Sequence, residues 1–169
     1  MSSRNKRKII HTPRILILAI LVVGFASYAS AQSKDETQVR EVLTQNTTAF
    51  ANNDIATLDK IWAHDDAVTV FENGYANYGW SDYRNNHLAP EMKEISNTKY
   101  ASSDVKVNIN GKMAWAIFKY AISGDSGGKH FDGGGLGTAI LEKRSGHWVI
   151  LHWHSSAPRR PSTVASPPK

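Results

Sequence analysis

Four glycines inside one strand-like segment limit the folds open to this chain. Gly133, Gly134, Gly135 and Gly137 fall within residues 130–143, which otherwise read as a β-strand. Glycine weakens a strand and marks a bulge or a strong bend in it. The segment is flanked by further strands, so the bend belongs to a whole sheet. A sheet bent in this way around helices makes a cone with a cavity at its open end.

The order of the other elements supplies those helices. From Thr37 onward, Val39, Val42, Leu43, Thr47 and Phe50 follow helical spacing. Asn52-Asn53-Asp54 breaks that helix, and Asp54 is placed to cap a short second one carrying Ile55, Leu58, Ile61 and Trp62. After a turn at His64-Asp65-Asp66, residues 67–72 form a β-branched strand stopped by Asn73-Gly74. Residues 75–79 read as a loop. A third helix starts near Ser81, with Trp80, Tyr83, Arg84, His87 and Leu88 along it, and stops before Pro90. Three antiparallel strands follow at 99–108, 113–123 and 130–143, the first two joined by an Asn110-Gly111 turn. This order predicts an α+β domain, three N-terminal helices packed on a strongly bent, mostly antiparallel sheet.

Residues 146–158 close the sheet. They run Gly-His-Trp-Val-Ile-Leu-His-Trp-His-Ser-Ser-Ala-Pro. Strict alternation puts Trp148, Ile150, His152 and His154 on one face, and Val149, Leu151, Trp153 and Ser155 on the other. Both faces are bulky, so the strand belongs inside the sheet rather than at its edge.

Residues 1–31 read as an export leader. Arg4, Lys6, Arg7 and Lys8 make a basic start, residues 15–26 are uncharged and almost wholly apolar, and Ala29-Ser30-Ala31 fits a small-x-small cleavage site. The apolar run is shorter than the roughly 20 residues a membrane span requires, so cleavage before Gln32 is expected, with a periplasmic or secreted product. The leader takes five basic residues and no acidic one. The formal charge of +5 thereby falls to zero, 15 basic residues against 15 acidic. A neutral mature chain predicts no nucleic-acid partner and no membrane association after cleavage. The chain has no cysteine, which excludes thiol catalysis and thiolate metal sites. The remaining 138 residues suit one domain: a flexible start at 32–36, a folded unit at 37–157, and a disordered tail at 158–169 rich in Pro, Ser and Arg.

Met113-Ala114-Trp115-Ala116, residues 137–143 and residues 146–158 resemble the nuclear transport factor 2-like superfamily, in its branch of SnoaL-like and ketosteroid-isomerase-like small proteins. The His-aromatic-His, Ser and Ala-Pro ending is similar to that of the association domain of calcium/calmodulin-dependent kinase II. The resemblance implies a cone-shaped fold over about residues 37–158, a pocket for a small organic molecule, and homo-oligomers, in the first instance dimers. It places the association domain's pocket arginines at Ile117, Ala139 and Ser155, and its pocket histidine at Tyr83, so a site for small acids is not expected. It also implies that Ser155, Trp153 and Leu151 face the pocket, with His152 and His154 on the face where such proteins dimerise.

Three kinds of chemistry compete for these residues. His152 and His154 at i, i+2 converge as metal ligands would, but a third ligand from His130, Asp132, Glu72 or Asp65 would have to join them. No compact metal motif is present, and no metal or cofactor is expected. An acid–base site needs a carboxylate or histidine in an apolar cavity with a phenol beside it. Tyr83 and His87 share a helix face at i, i+4, and Asp132 or His154 is the expected base. Five tryptophans supply mostly core, with Trp80, Trp115 and Trp153 joining Tyr78, Tyr83, His87 and Ser155 as expected pocket walls. The functional expectation is an exported binder of a small, largely uncharged organic molecule. Its alternatives are a cofactor-independent isomerase, dehydratase or cyclase using Tyr83 with a His or Asp base, and an oligomerisation module. Polar groups converging in a closed cavity would favour the enzyme.

Overall fold

The computed structural model describes residues 14–158, with side chains from Gln32 onward. The expected leader at 1–31 and, apart from Pro158, the expected tail lie outside those side chains. The chain divides into two compact units, Met1–Lys34 and Asp35–Lys169. The second holds the sheet, and its helical start belongs to α1 (Arg14–Ala51). Residues 32–36, expected to be flexible, are helical. Among the described residues no helix is long and apolar enough to cross a membrane.

The helical face expected for α1 is the buried one, from Val39 through Val42, Leu43 and Thr47 to Phe50. Asn53 takes φ +56° just past its end, and Asp54 caps α2 (Ile55–Ile61), its Oδ1 accepting from the Thr57 N–H at 3.0 Å. Strand β1 (Thr69–Glu72) then pairs antiparallel with β2 (Tyr75–Tyr78). The sequence predicts a loop at β2. Asn73 and Gly74 both adopt positive φ, +51° and +89°, the turn geometry that matches the twist of paired strands. A hairpin forms there instead.

The third helical segment is longer than expected. It comprises α3 (Trp80–Tyr83), a π-helical turn at Arg84–Leu88, and α4 (Ala89–Glu94). Pro90 does not end it. The proline lies in the first turn of α4, where its missing N–H is not needed. The wide turn closes through the Ala89 N–H and the Arg84 carbonyl. Glu91 is thereby brought into the structured helix.

Long strands β3 (Ile95–Asn110), β4 (Met113–Ser126), β5 (Lys129–Arg144) and β6 (His147–Ser156) complete a six-stranded sheet in the order β2-β1-β6-β5-β4-β3. All neighbours are antiparallel except β1 and β6. The class is α+β, as expected. The glycines do not bulge β5 against β4, whose register runs unbroken from Met113↔Glu142 to Ser126↔Lys129. They permit close approach. A Cβ on Gly137 would stand 2.1 Å from the Phe118 ring, and one on Gly135 would stand 1.9 Å from the Ser156 carbonyl oxygen.

The bulge falls on β6. Ile140 pairs with His152 and Leu141 with Ile150, which leaves Leu151 unpaired. An extra residue resets the alternation of a strand. Trp148, Ile150, Trp153 and Ser155 therefore all face inward and are buried, which corrects both faces drawn by strict alternation. Leu151 is half-buried rather than a pocket residue. His152 and His154 do point away from the interior, and His152 Nδ1 lies 2.7 Å from Thr69 Oγ1.

Candidate active site

Between the helices and the inner face of the sheet lies a cavity of about 310 Å³. Its walls are aromatic. Trp62 sits 5.3 Å from Tyr83 and 6.4 Å from Trp153, ring centre to ring centre, and Phe50, Tyr100 and Tyr120 line the sheet end. Asn46 of α1 is also in the wall; its Oδ1 accepts from Trp62 Nε1 at 2.8 Å, so its NH2 is the end left to a ligand. Among the described residues no lysine or arginine lines the cavity.

Glu72 brings the charge. It is the last residue of β1, where Val68 and Val70 point inward and period-two alternation carries Glu72 to the same face. Its neighbour in the parallel register is Ser155. Ser155 Oγ donates to Oε1 at 3.3 Å, and Tyr83 Oη donates to Oε2 at 3.4 Å. Both bonds are long, which leaves the carboxylate under-solvated, with 17% of its side chain exposed. Burial, followed by the negative charge of Glu91, pushes its pKa up to about 7; the hydrogen bonds from Ser155 and Tyr83 oppose this without cancelling it. Glu91 is also raised, chiefly by burial, with His87 opposing the rise. Burial and the charges of Glu72 and Glu91 hold the Tyr83 phenol well above its ordinary range, so it stays a neutral donor. His87 stands with Nε2 3.6 Å from Glu72 Oε2 and 3.9 Å from Glu91 Oε2.

A carboxyl group with a pKa near neutrality can take or give a proton at working pH. The phenol and the asparagine NH2 can donate to charge developing on a substrate oxygen.

Of the site residues predicted from sequence, Tyr83, His87, Trp153 and Ser155 line this cavity and the others do not. Trp80 is buried behind it, stacked on Trp62 with its Nε1 donating to Asp59 at 2.9 Å. Tyr78 is 65% exposed on the edge strand. Trp115 is 44% exposed because the β4 residues on its face, unlike Ala114 and Ala116, point outward. Neither proposed base reaches the cavity. Asp132 is on an exposed strand end beside His130, and His154 is turned outward beyond the bulge. Of the three positions at which the expected resemblance put the association domain's arginines, Ile117 is exposed on the outer face and Ser155 alone lines the cavity. Sequence reasoning weighed Glu72 only as a third metal ligand and missed it as an acid–base group, and it missed Glu91, Tyr100 and Tyr120 as lining residues. The alternation in Val68-Thr69-Val70-Phe71-Glu72 was the available signal for the first. Among the described residues no group of three or more His, Asp or Glu is arranged to hold a metal ion.

Residues 39–160 match the SnoaL-like domain family, and the chain belongs to it. Solved structures agree on the nuclear transport factor 2-like fold. A superfamily member from Salmonella enterica serovar Typhimurium aligns with a TM-score of 0.69 at 16% identity, over 81% of this chain and 99% of that one. A candidate dehydratase from Streptomyces avermitilis gives 0.70 at 19% identity, over 76% and 99%. A candidate ketosteroid isomerase from Shewanella frigidimarina gives 0.61 at 24% identity, over 69% and 92%. At these identities the likeness is one of fold. No curated protein sequence matches the chain.

Proposed function

We propose that the chain is an exported enzyme that moves a proton within a small, uncharged organic molecule, as an isomerase or dehydratase does, with Glu72 as the base. One observation carries this reading: an under-solvated carboxyl group meets a phenol, a hydroxyl and an imidazole at the wall of an aromatic cavity. A cavity built only to hold a greasy ligand has no need of that convergence. The described lining carries Glu72 and Glu91 and no lysine or arginine, which disfavours an anionic ligand. Two fold relatives, a candidate dehydratase and a candidate ketosteroid isomerase, are consistent with proton transfer. Export rests on the leader pattern at 1–31. Pairing of two copies through the outer sheet face is supported by the exposed Trp115, Ile117 and Leu136.

The test uses a panel of uncharged cyclic ketones and β-hydroxy ketones in D2O, followed by NMR for deuterium uptake or loss of water. The wild-type protein should convert at least one member, and Glu72→Gln should do so about 100-fold more slowly, the lower end of what a positioned base contributes. Tyr83→Phe should be slowed as well. Equal rates in wild type and Glu72→Gln across the panel would leave the cavity as a binding site without turnover.

A further inference from the structure

His87 is held by a chain of hydrogen bonds that leads away from the cavity. Its Nδ1 lies 2.8 Å from Asn77 Oδ1. The Asn77 amide is itself oriented, because its Nδ2 donates to Asp82 Oδ2 at 3.0 Å. A carboxylate only accepts, so the NH2 end of Asn77 must face Asp82 and its oxygen must face His87. Asp82 is in turn fixed by the Tyr78 N–H at 3.2 Å and by Asn86 Nδ2, which donates to Oδ1 at 2.9 Å. Those donors, Asn86 first, keep its carboxyl below the usual carboxylate range. An amide oxygen can only accept as well. The hydrogen on His87 therefore sits on Nδ1, and Nε2 is the nitrogen that faces Glu72 and Glu91.

We infer that Asn77, oriented by Asp82, is a positioning residue that locks the His87 tautomer, and so reserves Nε2 as a second proton-transfer atom opposite Glu72. This rests on the proton-transfer reading of the cavity. Glu72 takes a proton from substrate carbon and becomes a neutral acid. That proton passes from Oε2 to His87 Nε2, which regenerates the carboxylate and leaves an imidazolium. The imidazolium returns it to the substrate, at a second carbon or at a departing hydroxyl that leaves as water. No oxidant, reductant or further reactant is consumed. The opposite tautomer would present an N–H to Glu72 and could not accept the proton. Among the described residues the titratable groups around this pair are Glu91 of α4, Tyr83 and Asp82 of α3, Tyr75 of β2, and Tyr100 and Tyr120 of β3 and β4.

The lock is read directly by long-range proton–nitrogen NMR of the imidazole rings, with the His87 signals assigned by their loss in His87→Gln. In wild-type protein with the ring neutral, His87 should show one tautomer, protonated at Nδ1. Asn77→Ala should turn it into a mixture, and Asn77→Ser, whose hydroxyl can still accept, should restore much of the Nδ1 form. A wild-type ring protonated at Nε2, or an unchanged ring in Asn77→Ala, would overturn the inference. The readout needs no turnover. A locked tautomer in a protein inactive on every ketone would refute the proton-transfer function and leave the tautomer assignment intact.

Discussion

Glu72 should make this protein less stable as the pH rises from 4.5 to about 7, and Glu72→Gln should remove that loss. The folded state binds the Glu72 proton with a pKa of about 7, against the ordinary 4.5. Below pH 4.5 the group is protonated whether the chain is folded or unfolded, and nothing is lost. Between 4.5 and 7 the folded protein holds a proton that the unfolded chain has released, so each step up in pH favours unfolding. Above 7 the loss is complete. At about 1.4 kcal/mol per pH unit across that window, ionised Glu72 costs the fold about 3 kcal/mol. In a domain of this size that is roughly 10 °C in Tm. Glutamine keeps the shape and stays neutral, so the variant should match wild type at pH 4.5 and exceed it by about this amount at pH 8.5. The assay is urea unfolding of both proteins at half-unit steps between those limits. His130, which donates to Asp125 and lies beside Asp132, is raised, but it is common to the two proteins and cancels in the difference; Glu91, raised chiefly by burial, is coupled to Glu72, so its own response is part of the difference that the variant reads. Parallel curves for wild type and variant would refute the account of Glu72 as a carboxyl short of solvation.

Gly137→Ala should cost 1–3 kcal/mol in urea unfolding, typical of an overpacked interior at about this scale, because its Cβ would meet the Phe118 ring. Adding Phe118→Leu should recover part of that loss, and purely additive effects would remove the steric explanation. Intact-mass measurement of exported material should give a chain beginning at Gln32, and a full-length mass would refute the leader.

The helical face of α1, the Asp54 cap and the late run of antiparallel strands were legible because each depends on neighbours in sequence. Spacing alone identifies Val39, Leu43 and Phe50 as one stripe. Three features needed information that spacing does not carry. Hairpin β1–β2 depends on Asn73-Gly74 being read as a turn between strands rather than as a stop. Helix α4 depends on Pro90 falling in a first turn, which the wide Arg84–Leu88 turn brings about. The bulge at Leu151 depends on the register of β5, so no reading of 146–158 by itself could say that Trp148 and Trp153 share a face. His154 misses the cavity because it alternates with the inward Trp153 and Ser155, and Asp132 misses it because that end of β5 lies in solvent. Glu72 enters the sequence reading only as a possible metal ligand, although its alternation with the inward Val68 and Val70 puts it on the cavity face.

The same burial that weakens the fold at neutral pH is what equips the site. A fully solvated glutamate would hold its charge at no cost to stability, and near pH 7 it would be a poor base and a worse acid. Stronger hydrogen bonds from Ser155 and Tyr83 would lower its pKa and recover stability, at the expense of its proton affinity. The observed distances of 3.3 and 3.4 Å sit between these limits. Glu91 pushes in the same direction from α4, and it reaches the cavity only because the helix continues past Pro90. The π-helical turn thus has a chemical consequence. It presents His87 to Glu72 and, one turn on, places the second carboxylate that keeps the first near half-protonation.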